Sequence, residues 1–489
     1  MRSDEHEVLN HFLEEVDEQI GYQPMHAAIN EELRAHIEDK AHVYMEYGVE
    51  EEEAYEKAVR DMGDASALGI EMHEAHHLRT AKPLLLLLLA LIVLGMLGNF
   101  VVRGFSVGEL FYNGYFIWGF FVLFLTMMYG YPCLLKYAGK LTLLFLIMSA
   151  FFVVSRMVAR SMGVNHLPFD MSVIYSPSTF FGILQLAVPT VAILLYRRRQ
   201  KGLGALLLLT GLQFLFIWFS RYAFLLDYAC IPFMTVLFTS FGLELYVVEK
   251  KYLNIEKKKG ILVAAASFLV VFCVWSFGEG ERLSHNLELF LHPETQADNA
   301  WMDGYNNVLI RHLLGRAEWF GEVDLSEEEM IRYGTSQWYY EDGPGEWDVN
   351  GRSLEHHITY RMQFLEEPKL SDILPQHFLN NYRIAWWILK YGWIPGISLT
   401  LLLIVAYGIL LMTAFRIRNR LGSLTALAGS LALGIQFLFY LMGNFGYQFG
   451  MFGNLPFVSE GLVSITGSAL MAGLVLSAYR FDTVVTEKE

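Results

Sequence analysis

The side chains able to do chemistry in this chain gather at the edges of its apolar runs. The densest group is N-F-G-Y-Q-F-G-M-F-G-N-L-P-F-V-S-E-G, residues 444 to 461, which holds Asn444, Gln448, Ser459 and Glu460 between two apolar spans. It is too polar and too rich in glycine to cross a bilayer as a helix. Non-helical backbone at that depth must be buried in protein or line a cavity. Asp372 is the acid nearest the start of the next-to-next span upstream, and as a lone loop carboxylate its commoner role is a solvated one. Glu327, Glu328 and Glu329 read as the solvated first turn of a helix that follows Ser326. His73, His76 and His77 have a spacing that can ligate a metal, but near a membrane surface such a cluster is more often solvated, and no metal is expected. No phosphate loop, dinucleotide fingerprint, zinc spacing or serine-nucleophile motif lies in a supporting context, so no cofactor is expected either.

The elements that must position these groups are mostly membrane spans. The chain has 489 residues, of which 54% are hydrophobic, and its apolar residues fall in long runs, as in a polytopic membrane protein. Cys133, Cys230 and Cys273 all lie within apolar spans, so no disulfide framework or metal quartet can be built from them. The net charge of −15 is segregated. Residues 1–80 carry about 21 acids against 6 bases, residues 278–382 about 20 against 7, and the remainder is net basic. The two acidic zones therefore read as soluble parts, and neither has the basic face that nucleic-acid binding needs.

Residues 1–80 read as a small acidic helical domain. Val8, Leu9, Phe12, Leu13, Val16 and Ile20 recur at helical spacing; Ile29, Leu33, Ile37 and Tyr44 line a second helix that stops at Gly48. A third runs to Gly63, and Asp64 can cap a fourth. Ten spans follow: from Pro83 to Val102, then at about 112–132, 140–158, 178–196, 203–220, 228–248, 260–277, 393–414, 421–443 and 461–479. The basic loops at Lys136–Lys140, Arg197–Lys201, Lys250–Lys259 and Arg416–Arg420 share one side with both termini, which the loop-charge rule makes cytoplasmic. The acidic loop 278–382 then faces out. The expected fold is all-α: a multi-pass protein of the cytoplasmic membrane, 81–489, behind a cytosolic helical domain.

Two resemblances sharpen this reading. The stretch L-R-A-H-I-E-D-K, followed by G-V-E-E-E-E-A-Y-E-K-A-V-R-D-M-G-D, resembles the permease-prefix or HAAS domain, a cytosolic module thought to be regulatory, which implies a cytosolic partner. Asn444, Gly446, Gly450, Leu455, Pro456, Phe457, Ser459 and Gly461 resemble the closing signature of the FtsW/RodA/SpoVE family of bacterial cell division, shape and sporulation proteins, while Glu460 and Leu462 depart from it. That family has ten spans, with one large outer loop after the seventh. It polymerises glycan strands from a lipid-linked disaccharide beside a transpeptidase partner. The resemblance implies substrate contacts at Pro177, Ser178, Arg221, Tyr305, Asn444, Gln448 and Ser459.

The frame of that family is kept and its charges are not. Where it has Q-P-S-E-F-x-K, this chain has S-P-S-T-F-F-G, with Thr179 for the acid and Gly182 for the lysine. Where it has the catalytic aspartate, this chain has Asn381, or Asn380 if the gap is placed differently; Leu389 and Lys390 replace an acid pair. Asp372 is the one nearby acid that could substitute. Arg156, Arg160 and Arg221, with Asp227 close to Arg221, face a lipid pyrophosphate, snorkel to headgroups or pair with one another. The implied protein is a diverged polymerase or a non-catalytic relative that binds lipid-linked precursor or partner membrane proteins. The rival reading is a permease regulated through its prefix, which the lack of an internal repeat disfavours.

Overall fold

The computed structural model describes residues 7–161, 177–223, 230–278, 280–296, 303–334, 338–341, 359–362, 369–375, 378–448 and 454–484. Four helices come first: α1 (Glu7–Gln19), α2 (His26–Glu46), α3 (Glu51–Met62) and α4 (Ala65–Ala75). Their breaks follow from the sequence. Gly48 and Gly63 take φ of 85° and 87°, which side chains disfavour, and the Asp64 carboxylate accepts from the Ala67 N–H at 2.7 Å. Leu9, Phe12, Leu13, Val16, Ile20, Ile29, Leu33 and Ile37 are buried as the periodicity predicts. Val8 is not: it falls beside the stripe set by residues 9, 12, 13 and 16 and is 41% exposed.

The long helices follow. They begin with α5 (Lys82–Arg103), the short α6 (Val107–Tyr112), α7 (Gly114–Ser161), α8 (Pro177–Arg197), α9 (Leu203–Ala223), α10 (Cys230–Glu249) and α11 (Lys257–Gly278). The acidic loop then holds α12 (Gly280–Leu291), α13 (Asp303–Arg316), α14 (Glu327–Gly334), an antiparallel pair of four-residue strands β1 (Trp338–Glu341) and β2 (Thr359–Met362), α15 (Leu370–Ile373), α16 (Phe378–Asn381) and α17 (Arg383–Tyr391). The chain closes with α18 (Trp393–Phe415), α19 (Arg420–Asn444) and α20 (Leu462–Arg480). Among the described residues this is an all-α polytopic membrane fold with one two-stranded pairing in its loop. Among the described residues, six segments are long and apolar enough to cross a membrane, and Ala187–Arg197 and Leu203–Leu215 are shorter apolar stretches.

One boundary differs from the sequence reading. The expected spans at 112–132 and 140–158 lie on the unbroken α7, whose 48 residues would extend about 72 Å if straight. Lys136 and Lys140 read as a loop. They lie instead one turn apart on the helix, both over the Tyr137 ring at 5.4 and 5.6 Å. Long cationic side chains can reach polar surroundings without a break in the backbone. Pro132 is the one proline in α7, and the adjacent Tyr131 N–H is bonded to the α20 hydroxyl of Ser477 at 2.9 Å.

The two ends of the bundle are distinct. At the prefix face, Arg79 N–H donates to the Arg480 carbonyl at 3.1 Å, Arg480 donates to the Thr80 hydroxyl at 2.9 Å, His76 Nδ1 meets the Thr483 carbonyl at 3.0 Å, and Thr483 Oγ1 donates to the His77 carbonyl at 2.7 Å. The Asp482 carboxylate accepts from the Arg418 and Asn419 N–H groups there, both at 2.8 Å. The three imidazoles have separate partners: His73 accepts from Gly21 N–H at 3.2 Å and His77 bonds the Glu74 carbonyl. The opposite, loop face carries α12–α17 and the ends of α5, α19 and α20.

Candidate functional site

The site is built where the last loop helices press against α5 and α19. Asn444, at the end of α19, is buried. Its Oδ1 accepts from the Ile384 and Ala385 N–H groups, each at 3.0 Å, and so caps α17. Its Nδ2 donates to the Asn381 and Tyr440 carbonyls, each at 2.9 Å. One side chain thus fixes the backbone from 381 to 385. Ser459 holds the residue before: its hydroxyl donates to the Asn380 carbonyl at 2.7 Å and accepts from the Leu455 N–H at 2.8 Å. Tyr440 donates to the same Asn380 carbonyl at 2.8 Å. Phe457, between them, takes the left-handed φ of 67° with its side chain fully buried, a conformation that costs about 1–3 kcal/mol and recurs where surroundings over-determine it.

Gln448 joins the site to the acidic loop. Its Oε1 accepts from the Tyr382 hydroxyl at 2.8 Å, and its backbone N–H donates to Asn307 Oδ1 at 3.1 Å. Asn307 lies on α13, two residues from Tyr305, which is half-buried against the core. Arg311, one turn on, donates to the Gly446 carbonyl at 2.8 Å and stacks over Tyr447 at 4.1 Å.

Deeper in, Arg383 is the largest fully buried side chain among the described residues. A guanidinium out of water is costly unless its donors are satisfied. Nε donates to the Leu379 carbonyl at 2.8 Å, Nη1 to the Gly95 carbonyl at 2.9 Å, and Nη2 to Asn99 Oδ1. Its own N–H donates to Tyr440 OH at 3.0 Å. Gly98 admits this arrangement, since a Cβ there would stand 2.7 Å from Nη1. Asn99 then passes the contact on: Nδ2 donates to Asn113 Oδ1 at 2.7 Å, to Tyr115 OH at 3.0 Å and to Glu460 Oε2 at 3.2 Å. Glu460 also accepts from Arg103 at 2.9 Å and from Tyr115 at 3.4 Å, and Arg103 lies 3.8 Å from Glu109.

Asn444, Gln448 and Ser459 therefore converge on the segment that holds Asn380 and Asn381. Pro177 and Ser178 open α8 and Arg221 lies near the end of α9, but these side chains, with those of Thr179, Gly182, Arg156 and Arg160, lie outside the described residues, as does Asp227. The Asp372 carboxylate accepts from the Lys369 N–H at 2.9 Å and starts α15. Lys390 pairs with Glu322 at 2.5 Å. The sequence reading missed Arg383, Asn99, Arg103, Asn113 and Tyr115, and took Glu460 only as a departure from a motif. The available signal was the ionisable residue beside or within an apolar run.

Asn380 stands out chemically. Its backbone carbonyl has two donors, yet its side-chain Oδ1 is buried without a hydrogen-bond partner. An unpaired buried acceptor costs about 1–3 kcal/mol.

No protein-family model and no curated protein matches the sequence. Among solved structures, the chain is similar to one chain from work on the structural coordination of polymerization and crosslinking by a peptidoglycan synthase complex. The TM-score is 0.51 at 16% identity, covering 82% of this chain and 98% of that one. The likeness is one of fold, and it spans nearly the whole of the other chain.

Proposed function

We propose that this chain is a membrane protein of bacterial cell-envelope assembly, of the FtsW/RodA/SpoVE type, that binds a lipid-linked glycan precursor at its loop face and has lost most of the polymerising chemistry. The observation that carries this reading is Asn380. Its buried, unpartnered Oδ1 suits a hydroxyl or amide donor from a sugar, while a carboxamide cannot take up a proton at neutral pH. Asn381 has the same limit. Glu460 follows Ser459 directly, but its oxygens are engaged by Arg103, Asn99 and Tyr115, which ties α5 to the start of α20. General-base catalysis contributes about 10²–10⁴-fold, so a site without the base runs slowly or not at all. The fold likeness to a chain of a peptidoglycan synthase complex supports the envelope setting. A transpeptidase-type membrane partner, and a cytosolic partner for an HAAS-like prefix, belong to the same reading.

The test is polymerisation and binding of lipid-linked disaccharide by the purified full chain. Wild type should bind the precursor and make little polymer. Asn381→Asp should recover little, because Thr179 and Gly182 still replace charged positions, and Asn380→Ala should weaken binding. Polymerisation at the rate of an active relative, abolished by Asp372→Ala, would overturn the proposal.

A further inference from the structure

At the prefix face a polar cavity of about 730 Å³ opens between three connections: the α8–α9 turn, the α10–α11 loop and the start of α19. Arg199, Lys251, Lys257 and Arg420 line it, against the single carboxylate of Glu256. The cations come from segments far apart in sequence, so the cavity is a product of the fold and not of one basic run. The cations are also held in place. Arg199 lies over the Tyr196 ring at 4.3 Å and donates to the Tyr196 carbonyl at 3.2 Å. Arg420 lies 5.7 Å over Tyr252, itself a lining residue. Lys257 is paired with Glu249 at 2.7 Å outside the lining.

The backbone is bent to make this space. Lys251 takes φ of 55°, left-handed and uncommon for a residue with a side chain. Gly202, at φ 52°, lets the α8–α9 turn close on the next loop, since a Cβ there would stand 2.8 Å from the Asn254 carbonyl. Strain of this kind is kept where the surroundings fix it, and it often marks a site.

We propose that this cavity binds a phosphate-bearing anion, presented by an acidic lipid headgroup or by a soluble phosphate. Planar guanidiniums match phosphate oxygens two at a time, and lysine adds point charge. A basic pocket between membrane helices has the chemistry that recognises acidic headgroups. The site lies at the opposite end of the bundle from Asn380 and does not depend on the function proposed for that residue.

The experiment uses the purified full chain in neutral detergent. Retained phosphatidylglycerol is titrated by native mass spectrometry, and inorganic phosphate by equilibrium dialysis. Lys251→Gln/Arg420→Gln is compared with Lys136→Gln/Lys140→Gln, which removes equal charge outside the cavity. A lysine or arginine that faces the anion contributes about fivefold, so the cavity variant should bind roughly 30-fold more weakly, and the control, whose lysines lie over Tyr137 outside the lining, nearly as wild type. Binding of the lipid alone assigns the source to a headgroup; binding of phosphate assigns it to a soluble anion. If neither binds, or both variants weaken alike, the basic residues serve only as a charged surface and the proposal fails. Should the double variant misfold, Lys251→Gln alone, at an exposed side chain, should still show about fivefold weakening.

Discussion

Glu460→Gln tests how the buried charges at the loop face are balanced. Glu460 touches Arg103, Asn99 and Tyr115, and Asn99 in turn touches Arg383. Removing its charge leaves two guanidiniums against Glu109, which lies 3.8 Å from Arg103. Breaking a buried pair by removing one partner costs about 3–5 kcal/mol. Arg103 is 26% exposed, so solvent recovers part of that, and about 2–3 kcal/mol is expected. Arg103→Gln should cost about 1 kcal/mol, the value of a partly exposed pair. The double variant discriminates. If Glu460 served only Arg103, removing both would return the protein to near wild type. If it also balances Arg383 through Asn99, the double variant stays about as unstable as Glu460→Gln alone, and that is the expected result. The assay is equilibrium unfolding in mixed micelles. A double variant within about 0.5 kcal/mol of wild type, the usual limit of additivity, would refute the link to Arg383.

Asn444→Ala strands two backbone N–H groups at the start of α17 and should cost about 2–4 kcal/mol in the same assay; a loss within about 0.5 kcal/mol of wild type would count against the capping role. With the native cysteines replaced, a cysteine at Ser326 should react with a membrane-impermeant maleimide on whole cells and one at Asn254 should not; the reverse pattern would invert the orientation. Glu329 is held down to about 2 by the Ser326 N–H and hydroxyl and by His312. A depressed carboxylate stabilises the fold above its ordinary 4.5 and loses that contribution as pH falls through the folded value. Amide protection in the first turn of α14 should therefore survive between these two values in wild type and be weaker there in Ser326→Ala, which removes the hydroxyl but keeps the N–H.

Much of the architecture is legible because helix ends and spans are set locally. Gly48, Gly63 and Asp64 mark the prefix helices whatever surrounds them, and an apolar run long enough to span needs no partner to declare itself. Asn444, Gln448 and Ser459 stand out in the sequence because they sit in a polar stretch between spans. The Arg383 network does not, because it exists only when α5, α17, α19 and the turn before α20 meet; residues 99, 383 and 460 share no local pattern. Continuity of α7 was hidden for a related reason. Two lysines in an apolar run look the same on a loop and on a helix that carries them to a polar surface.

The contacts of Arg79, His76 and His77 with Arg480 and Thr483 join residues some 400 positions apart. At a synthesis rate of about 5–20 residues per second, the prefix waits roughly 20–80 s for its partner surface to leave the ribosome. Until then residues 76–80 lack the carbonyls and hydroxyl of Arg480 and Thr483 that they bond in the finished fold. This seam is therefore among the last to close, and a chain truncated before α20 keeps the N-terminal helices but loses their anchor to the bundle.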